Sequence, residues 1–570
     1  MRSVTTFVIL LSLFVSPRLA AAADNDSNAP EPKSSSTVTD KSKESAAPAN
    51  PEKEKNAVDS QLQDLRELIE SQSQELRDLR ARLAAVEAGS APPKAAPVSI
   101  SIPDVPSPSS APPQNAGPEQ TAPKLPLSFK IGSAQFTPGG FLDMAAFYRS
   151  TNVGSGIATA FGAIPFNNLL PQGRLSETHF SAQYSRLSLK VDANLNDSTA
   201  ITGYVESDFL GFLPANAYVT TNSDSLRLRL YWADVRHGKW EVLGGQSWSL
   251  LTPNRTGLSP ATADVFYTLN EDPNFQVGLI WARQAQFRLV YHPTDKWAVG
   301  LSLENPQQYA PASVVFPSTF FTPQFDNGSA ATNAPSAVTN TAVPNRYPDI
   351  IVKTALDVKP AGHALHIEAA GLIRGFRVLN NLVTPNVNST ITGGGGSLNL
   401  NLELIHNFHL IANSFYSDGG GRYIFGLGPD AIVKPNGTLS AVHSGSGIGG
   451  FEYQATRKFM FYSYYGGAYF QRNYGPFPTP APSSCNGVLG FSCVGFGFPG
   501  SANTSNRTVQ EGTFGVIQTL WSNENYGRVQ INTQYSYLLR SPWSVLAPLT
   551  PTPNNAHTNM LYIDFRYTLP

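Results

Sequence analysis

Among 570 residues, few combinations could carry out chemistry. His363, His366 and Glu368 resemble a metal-binding spacing, because imidazole nitrogens and a carboxylate close together are ordinary ligands for zinc. On an extended strand, however, 366 and 368 share a face while 363 does not, and His363 directly follows the turn-forming Pro360-Ala361-Gly362. The run Gly393 to Gly396 lacks the following Lys-Ser/Thr and the helix that a phosphate cradle requires. No Gly-x-Ser-x-Gly nucleophile elbow occurs, and no Ser, His and acid are gathered in one segment. The expectation is therefore a protein without catalytic residues, metal or cofactor.

What remains are charged residues two positions apart. Arg186 and Lys190 alternate with Leu187, Leu189 and Val191; Arg227 and Arg229 alternate with Leu226, Leu228, Leu230 and Trp232; Arg288 lies in a similar stretch. Glu206, Asp357 and Glu368 fall at equivalent positions, as do Asp192, Glu403 and Asp564. On a strand such spacing puts the charges on one face and the apolar residues on the other. If that charged face surrounds a lumen, it sets which ions pass. Two readings stay open: a basic wall that favours anions near the arginines, or charges that pair with one another and fill the lumen.

The elements that would position these residues follow from composition. Charged residues make up 14% of the chain, against about 25% in ordinary soluble domains. The balance of 40 Lys and Arg against 41 Asp and Glu argues against a nucleic-acid partner. Beyond the first 20 residues no apolar run approaches the roughly 18 to 20 that a membrane helix needs. A β-barrel in a membrane explains the scarcity of charge, because its outer face must be nearly free of it.

From Phe136 onward, segments of period-two hydrophobicity recur. They span roughly 136–148, 179–195, 199–211, 226–236, 240–250, 275–292, 296–305, 348–359, 363–378, 396–406, 408–417, 444–456, 459–473, 507–522, 526–540 and 558–569. The connections alternate. Asn196-Asp197-Ser198, His237-Gly238-Lys239, Pro293-Thr294-Asp295, Pro360-Ala361-Gly362, Asn407, Arg457-Lys458 and Asn523-Glu524-Asn525 are tight, whereas the others are long and rich in Gly, Pro, Asn and Thr. Short turns on one rim and long loops on the other predict a sixteen-stranded antiparallel transmembrane β-barrel over 129–570. Its even strand number puts both ends on the short-turn, periplasmic rim. The third long loop, 251–274, carries Arg255, Asp264, Glu271 and Asp272 and is a candidate to fold inward and narrow the channel.

The N-terminal part reads differently. Met1-Arg2, the apolar Phe7 to Val15 and the small Ala21-Ala22-Ala23 predict an export signal over 1–23. Residues 24–56 read as disordered linker and 89–128 as a Pro-, Ser- and Ala-rich tether. Between them, Val58, Leu62, Leu65, Ile69, Gln72, Leu76, Leu79, Leu83 and Val86 follow a heptad seam, so 57–88 is expected to form a short coiled-coil helix in the periplasm. Cys485 and Cys493 are the only cysteines, and in an exported chain they are expected to form one bridge across a loop.

Taken with this layout, Gly140-Phe141-Leu142-Asp143, Leu243-Gly244-Gly245-Gln246-Ser247-Trp248-Ser249 and Leu303-Glu304-Asn305-Pro306 resemble the DcaP-like trimeric porins. The resemblance implies a homotrimer of sixteen-stranded barrels in outer-membrane lipid, clamped by the coiled coil. Each barrel would have its own pore, with a preference for small anionic solutes such as dicarboxylates. The residue-level reading favours a passive channel for small hydrophilic solutes. It leaves open a structural protein tethering the envelope through its coiled coil, and an exported β-sandwich adhesin or enzyme.

Overall fold

Alternation along the chain becomes a wall because each extended segment can satisfy its backbone N–H and C=O groups only by pairing with neighbours. The computed structural model describes residues 127–211, 225–260, 265–270, 274–321, 324–326, 343–545 and 555–570. The expected signal segment, first linker and coiled coil, and nearly all of the second linker, lie outside the described residues.

Sixteen strands form the wall. They are β1 (Ala134–Arg149), β2 in two pieces (Glu177–Ser181 and Arg186–Asn196), β3 (Thr199–Asp208), β4 (Arg227–His237), β5 (Trp240–Trp248), β6 (Arg283–Thr294), β7 (Trp297–Glu304) and β8 (Asp349–Val358). The circuit continues through β9 (Leu365–Asn380), β10 (Val387–Ile405), β11 (Phe408–Asp418), β12 (His443–Thr456), β13 (Phe459–Phe470), β14 (Asn506–Asn523), β15 (Gly527–Pro542) and β16 (Ala556–Thr568). Every neighbouring pair is antiparallel, and β16 returns to β1 in the register Met144↔Phe565 and Tyr148↔Leu561. The sheet therefore has no free edge. A short strand, Phe129–Ile131, folds back on the start of β1 and stacks Phe129 on Phe136.

Tight turns and long loops alternate as the sequence predicts, but three strand assignments change. β10 begins at Val387, well before residue 396. β6 begins at Arg283; residues 275–282 belong to the preceding loop. On β4 the alternation breaks, since Glu206 pairs with Leu230 and Ser207 with Leu228, leaving Arg229 as an extra residue. This bulge turns Leu230 and Trp232 into the barrel, where both are buried, and leaves Leu228, Tyr231 and Val235 outside. A bulge re-aims every side chain beyond it, and no local pattern marks the position.

The outer wall presents apolar and aromatic side chains, among them Leu187, Phe287, Leu301, Val352, Ile373, Leu398 and Ile563. Exposed Trp and Tyr residues gather near both rims, with others, such as Tyr231 and Tyr535, between them. Trp240, Trp297, Trp521 and Tyr526 lie by the short turns, and Tyr148, Tyr416, Tyr465 and Tyr469 lie toward the long loops. An apolar belt between two aromatic girdles is the surface a bilayer requires.

Candidate functional site: the barrel interior

The interior is built by the inward residues of each strand and by the long segment between β5 and β6, residues 249–282. Backbone taken from water into a lumen needs new partners for its polar groups. Wall side chains supply them. Leu250 N–H donates to Glu304 on β7 at 2.8 Å, and Lys353 Nζ on β8 donates to the Thr252 carbonyl at 2.8 Å. Asn254 N–H reaches both Glu368 oxygens on β9 at 3.2 Å, and Gly257 N–H reaches Asp357 on β8 at 2.9 Å.

Further along, the segment meets the far wall. Leu269 N–H donates to Gln534 on β15 at 2.9 Å. Asn270 Nδ2 and Val277 N–H donate to Glu511 on β14 at 2.5 and 3.1 Å. Tyr562 on β16 donates to the Asn270 carbonyl at 3.2 Å. β6 and β14 stand eight strands apart in a ring of sixteen, so the segment crosses the lumen. Gly466 on β13 lets it come close, because a Cβ there would overlap the Val277 carbonyl.

Arg255 is the charged anchor of this crossing. Its guanidinium makes two bonds to Glu452 on β12, at 2.6 and 2.7 Å, and a third to the Val265 carbonyl at 2.8 Å. The Tyr464 hydroxyl donates to the same carboxylate at 2.6 Å. Burial pulls the Arg255 pKa down, but Glu452 beside it outweighs that and holds it well above the ordinary arginine value. Arg255 is therefore a permanent cation. Of the other residues expected on this loop, Asp264, Glu271 and Asp272 lie outside the described residues.

The eight residues expected to line a pore all sit on the inner face, but most are occupied. On β2 to β4, Arg229 bonds Glu206 at 2.7 Å and Asp208 at 2.6 Å, Arg227 bonds Asp208 at 2.6 Å, and Arg186 lies 3.7 Å from Glu206. Of the two open readings, the paired one holds on these strands, as an arginine–carboxylate cluster: inward residues on adjacent strands lie close together, and opposite charges withdrawn from water pair. Arg288 is buried against Gln286 and the Trp248 carbonyl. Glu368 pairs with Lys353 at 2.8 Å. His366, between Asp357 at 2.8 Å and Glu368 at 3.2 Å, has carboxylate neighbours, while His363 caps the turn outside this group. Only Lys190, Arg227 and Asp357 keep much side-chain exposure, 48, 31 and 33% respectively, and Asp192, the partner of Lys190 at 3.1 Å, keeps 40%.

Sequence reasoning missed Glu452 and Glu511, which hold the crossing segment, and Asp208, which completes the arginine cluster. A single acid with no other charged residue beside it, as in Phe451-Glu452-Tyr453 and Gln510-Glu511-Gly512, was the available signal. Arg149 and Arg374 were missed too. Arg149 bonds Glu177 at 2.9 Å and the carbonyls of Gly156 and Ile157, so it holds the first long loop. Arg374 pairs with Asp349 at 3.0 Å and Asp430 at 2.9 Å, tying the loop after β11 to β8 and β9.

Three loops meet inside the wall in an apolar cluster, with Phe275 5.5 Å from Phe161 and 4.1 Å from Phe425 between ring centres. The Cys485–Cys493 disulfide forms as expected, in the loop between β13 and β14, with its Cα atoms 4.9 Å apart.

No protein-family model matches the sequence, and no curated protein matches it. Solved structures do. The outer membrane channel DcaP of Acinetobacter baumannii has a TM-score of 0.51 at 15% identity, over 77% of this chain and 99% of that one. The anion-selective porin from Comamonas acidovorans has a TM-score of 0.42 at 9% identity, over 76% of this chain and all of that one. OprB of Pseudomonas putida has a TM-score of 0.40 at 10% identity, over 76% of this chain and 94% of that one. The closed sixteen-stranded barrel is thus similar in fold to the DcaP channel.

Proposed function

We propose that the protein is an outer-membrane porin, a passive diffusion channel for small hydrophilic solutes. The carrying observation is the crossing segment: it is fixed to the inner wall by side chains from β7, β8, β9, β12, β14 and β15, which narrows the lumen while the outer wall stays apolar. Width and the remaining exposed wall charges then select solutes. The chain forms a homotrimer in outer-membrane lipid, with the 57–88 coiled coil as its periplasmic clamp. This part of the reading rests on the heptad seam and on the resemblance to DcaP-like porins.

A preference for small anions such as dicarboxylates is a finer reading. Arg227 and Lys190 support it, because they keep exposed cationic groups on the inner wall; Asp192 and Asp357 oppose it. Planar-bilayer recording of the purified protein tests the whole. Stable conductance steps in groups of three are expected, and a barrel that inserts without conducting overturns the channel reading. Reversal potentials across a KCl gradient test the sign, and clear cation selectivity sinks the anion preference.

A further inference from the structure

A second constellation lies at the long-loop ends of β13, β14 and β15. Arg472 follows β13, Arg507 is the second residue of β14, and Trp543 follows β15. The guanidinium carbon of Arg472 is 5.4 Å from the Trp543 ring centre and that of Arg507 is 5.7 Å from it. Both distances fall where a cation is drawn to an indole face.

The ring itself is fixed. Its indole N–H donates to the Phe470 carbonyl at 2.9 Å, the Trp543 main-chain N–H donates to Ser505 at 2.9 Å, and Tyr469 meets the ring edge-on at 6.2 Å. Tyr469 is exposed while Ala468 and Phe470 beside it are buried, which puts it on the outer face. Gly497 closes over the group, since a Cβ there would press on Arg472 and on the ring.

Both arginines are exposed, and among the described residues neither takes part in an ion pair. The sequence explains why: there is no Asp or Glu from Tyr453 to Gln510, and none from Asn525 to Ile563. Two cations held on one ring beside acid-free chain make a local positive potential that an anion complements. Guanidinium forks match phosphate oxygens two at a time. Tyr469 belongs to the aromatic band near the long loops, which is the depth of lipid headgroups, and the half-buried Trp543 ring packs against it.

We propose that Arg472, Arg507 and Trp543 bind the phosphate of an anionic lipid headgroup in the outer leaflet. The guanidiniums donate to its oxygens, and Trp543 and Tyr469 lie along the boundary between headgroup and acyl chains. The proposal rests on the porin reading, which turns the long-loop rim toward that leaflet.

Native mass spectrometry of the full-length protein in detergent, titrated with bisphosphorylated lipid A and separately with neutral diacylglycerol, is the test. Lipid A should bind and diacylglycerol should not. Arg472→Gln or Arg507→Gln should weaken binding about fivefold, and the pair about twenty-five-fold, at the strength typical of a cation near an anionic headgroup. Arg472→Lys with Arg507→Lys should lose less, because charge remains while the forked geometry does not. Equal binding of diacylglycerol, or unchanged affinity in the double Gln variant, overturns the proposal. So does displacement by inorganic phosphate as efficient as by lipid A, which would assign a free-phosphate site. Loss of the oligomer with lipid binding unchanged would assign the arginines to a subunit contact and overturn it as well. Bilayer recordings on the same preparations separate the two readings. A double variant that conducts but has lost lipid A supports the lipid site, whereas an unaltered protein that binds lipid A and never conducts sinks only the channel.

Discussion

Two charged regions of the lumen use the same residue types for different ends. On β2 to β4, Arg186, Arg227 and Arg229 meet Glu206 and Asp208, all on adjacent wall strands. On the crossing segment, Arg255 and the main-chain N–H groups of residues 250, 254, 257 and 277 meet Glu304, Glu368, Asp357, Glu452 and Glu511, drawn from five strands between β7 and β14. The first cluster fastens the wall to itself. The second fixes a loop within the lumen. A charged inner wall is therefore not by itself a selectivity filter: burial and partner decide whether a charge holds the wall, holds the crossing segment or stays exposed to the lumen.

The largest effect should come from the wall cluster. Arg229 is 1% exposed and bonds two carboxylates that are also buried. Its removal breaks charge-assisted bonds to both, about 3–6 kcal/mol in all at about 1.5–3 kcal/mol each, while Arg227 still pairs with Asp208 and Arg186 still faces Glu206. Arg229→Ala should lower barrel stability by that amount, read from denaturant unfolding in micelles, while channels that do form keep nearly the parent conductance. A large conductance change with stability intact would erase the distinction between the two regions.

The crossing segment should respond in the opposite sense. Arg255 keeps a quarter of its side chain exposed, and its fork on Glu452 is a charge-assisted bond of about 1.5–3 kcal/mol. Arg255→Ala should cost about 3 kcal/mol, the upper end of that range, because the buried Glu452 keeps the Tyr464 hydroxyl but loses its bonded cation. It should raise single-channel conductance and its noise, because the segment loses its anchor on β12 while Leu250 and Asn254 before it and Leu269 and Val277 after it stay bonded to the wall. Quiet channels of parent conductance in this variant would show that the segment does not set the width.

How far these regions could be read from sequence follows from the range of their contacts. Alternation and turn length are local, so the sixteen strands, the two rims and the inward side of Arg186, Arg229, Arg288 and Glu368 were legible. The β4 bulge was not: Leu228, Leu230 and Trp232 continue an unbroken apolar alternation, and only pairing with β3 reveals the extra residue. Residues 275–282 misled for another reason. Phe275, Val277, Leu279 and Trp281 alternate like a strand, yet Gln276 and Ile280 are buried as well, because a segment inside a barrel has no wet face. The anchors of that segment join positions far apart in the chain, Arg255 to Glu452 and Asn270 to Glu511, and no local spacing announces such partners.

The smallest change in stability should accompany the clearest change in selectivity. Lys190 and Asp192 pair at 3.1 Å near the short-turn rim, with about half and two-fifths of their side chains exposed. An exposed pair contributes about 0–1 kcal/mol, so Lys190→Ala or Asp192→Asn should leave unfolding almost unchanged. Each exposed charge is nevertheless felt by ions passing within a Debye length of about 10 Å at 0.1 M salt. Reversal potentials in a dilute KCl gradient should move toward cations in Lys190→Ala and toward anions in Asp192→Asn, and both shifts should shrink as salt rises. If Arg229→Ala, fully buried in its cluster, shifted the reversal potential more than either of these, buried wall charge would govern permeation and the contrast between the two regions would fail.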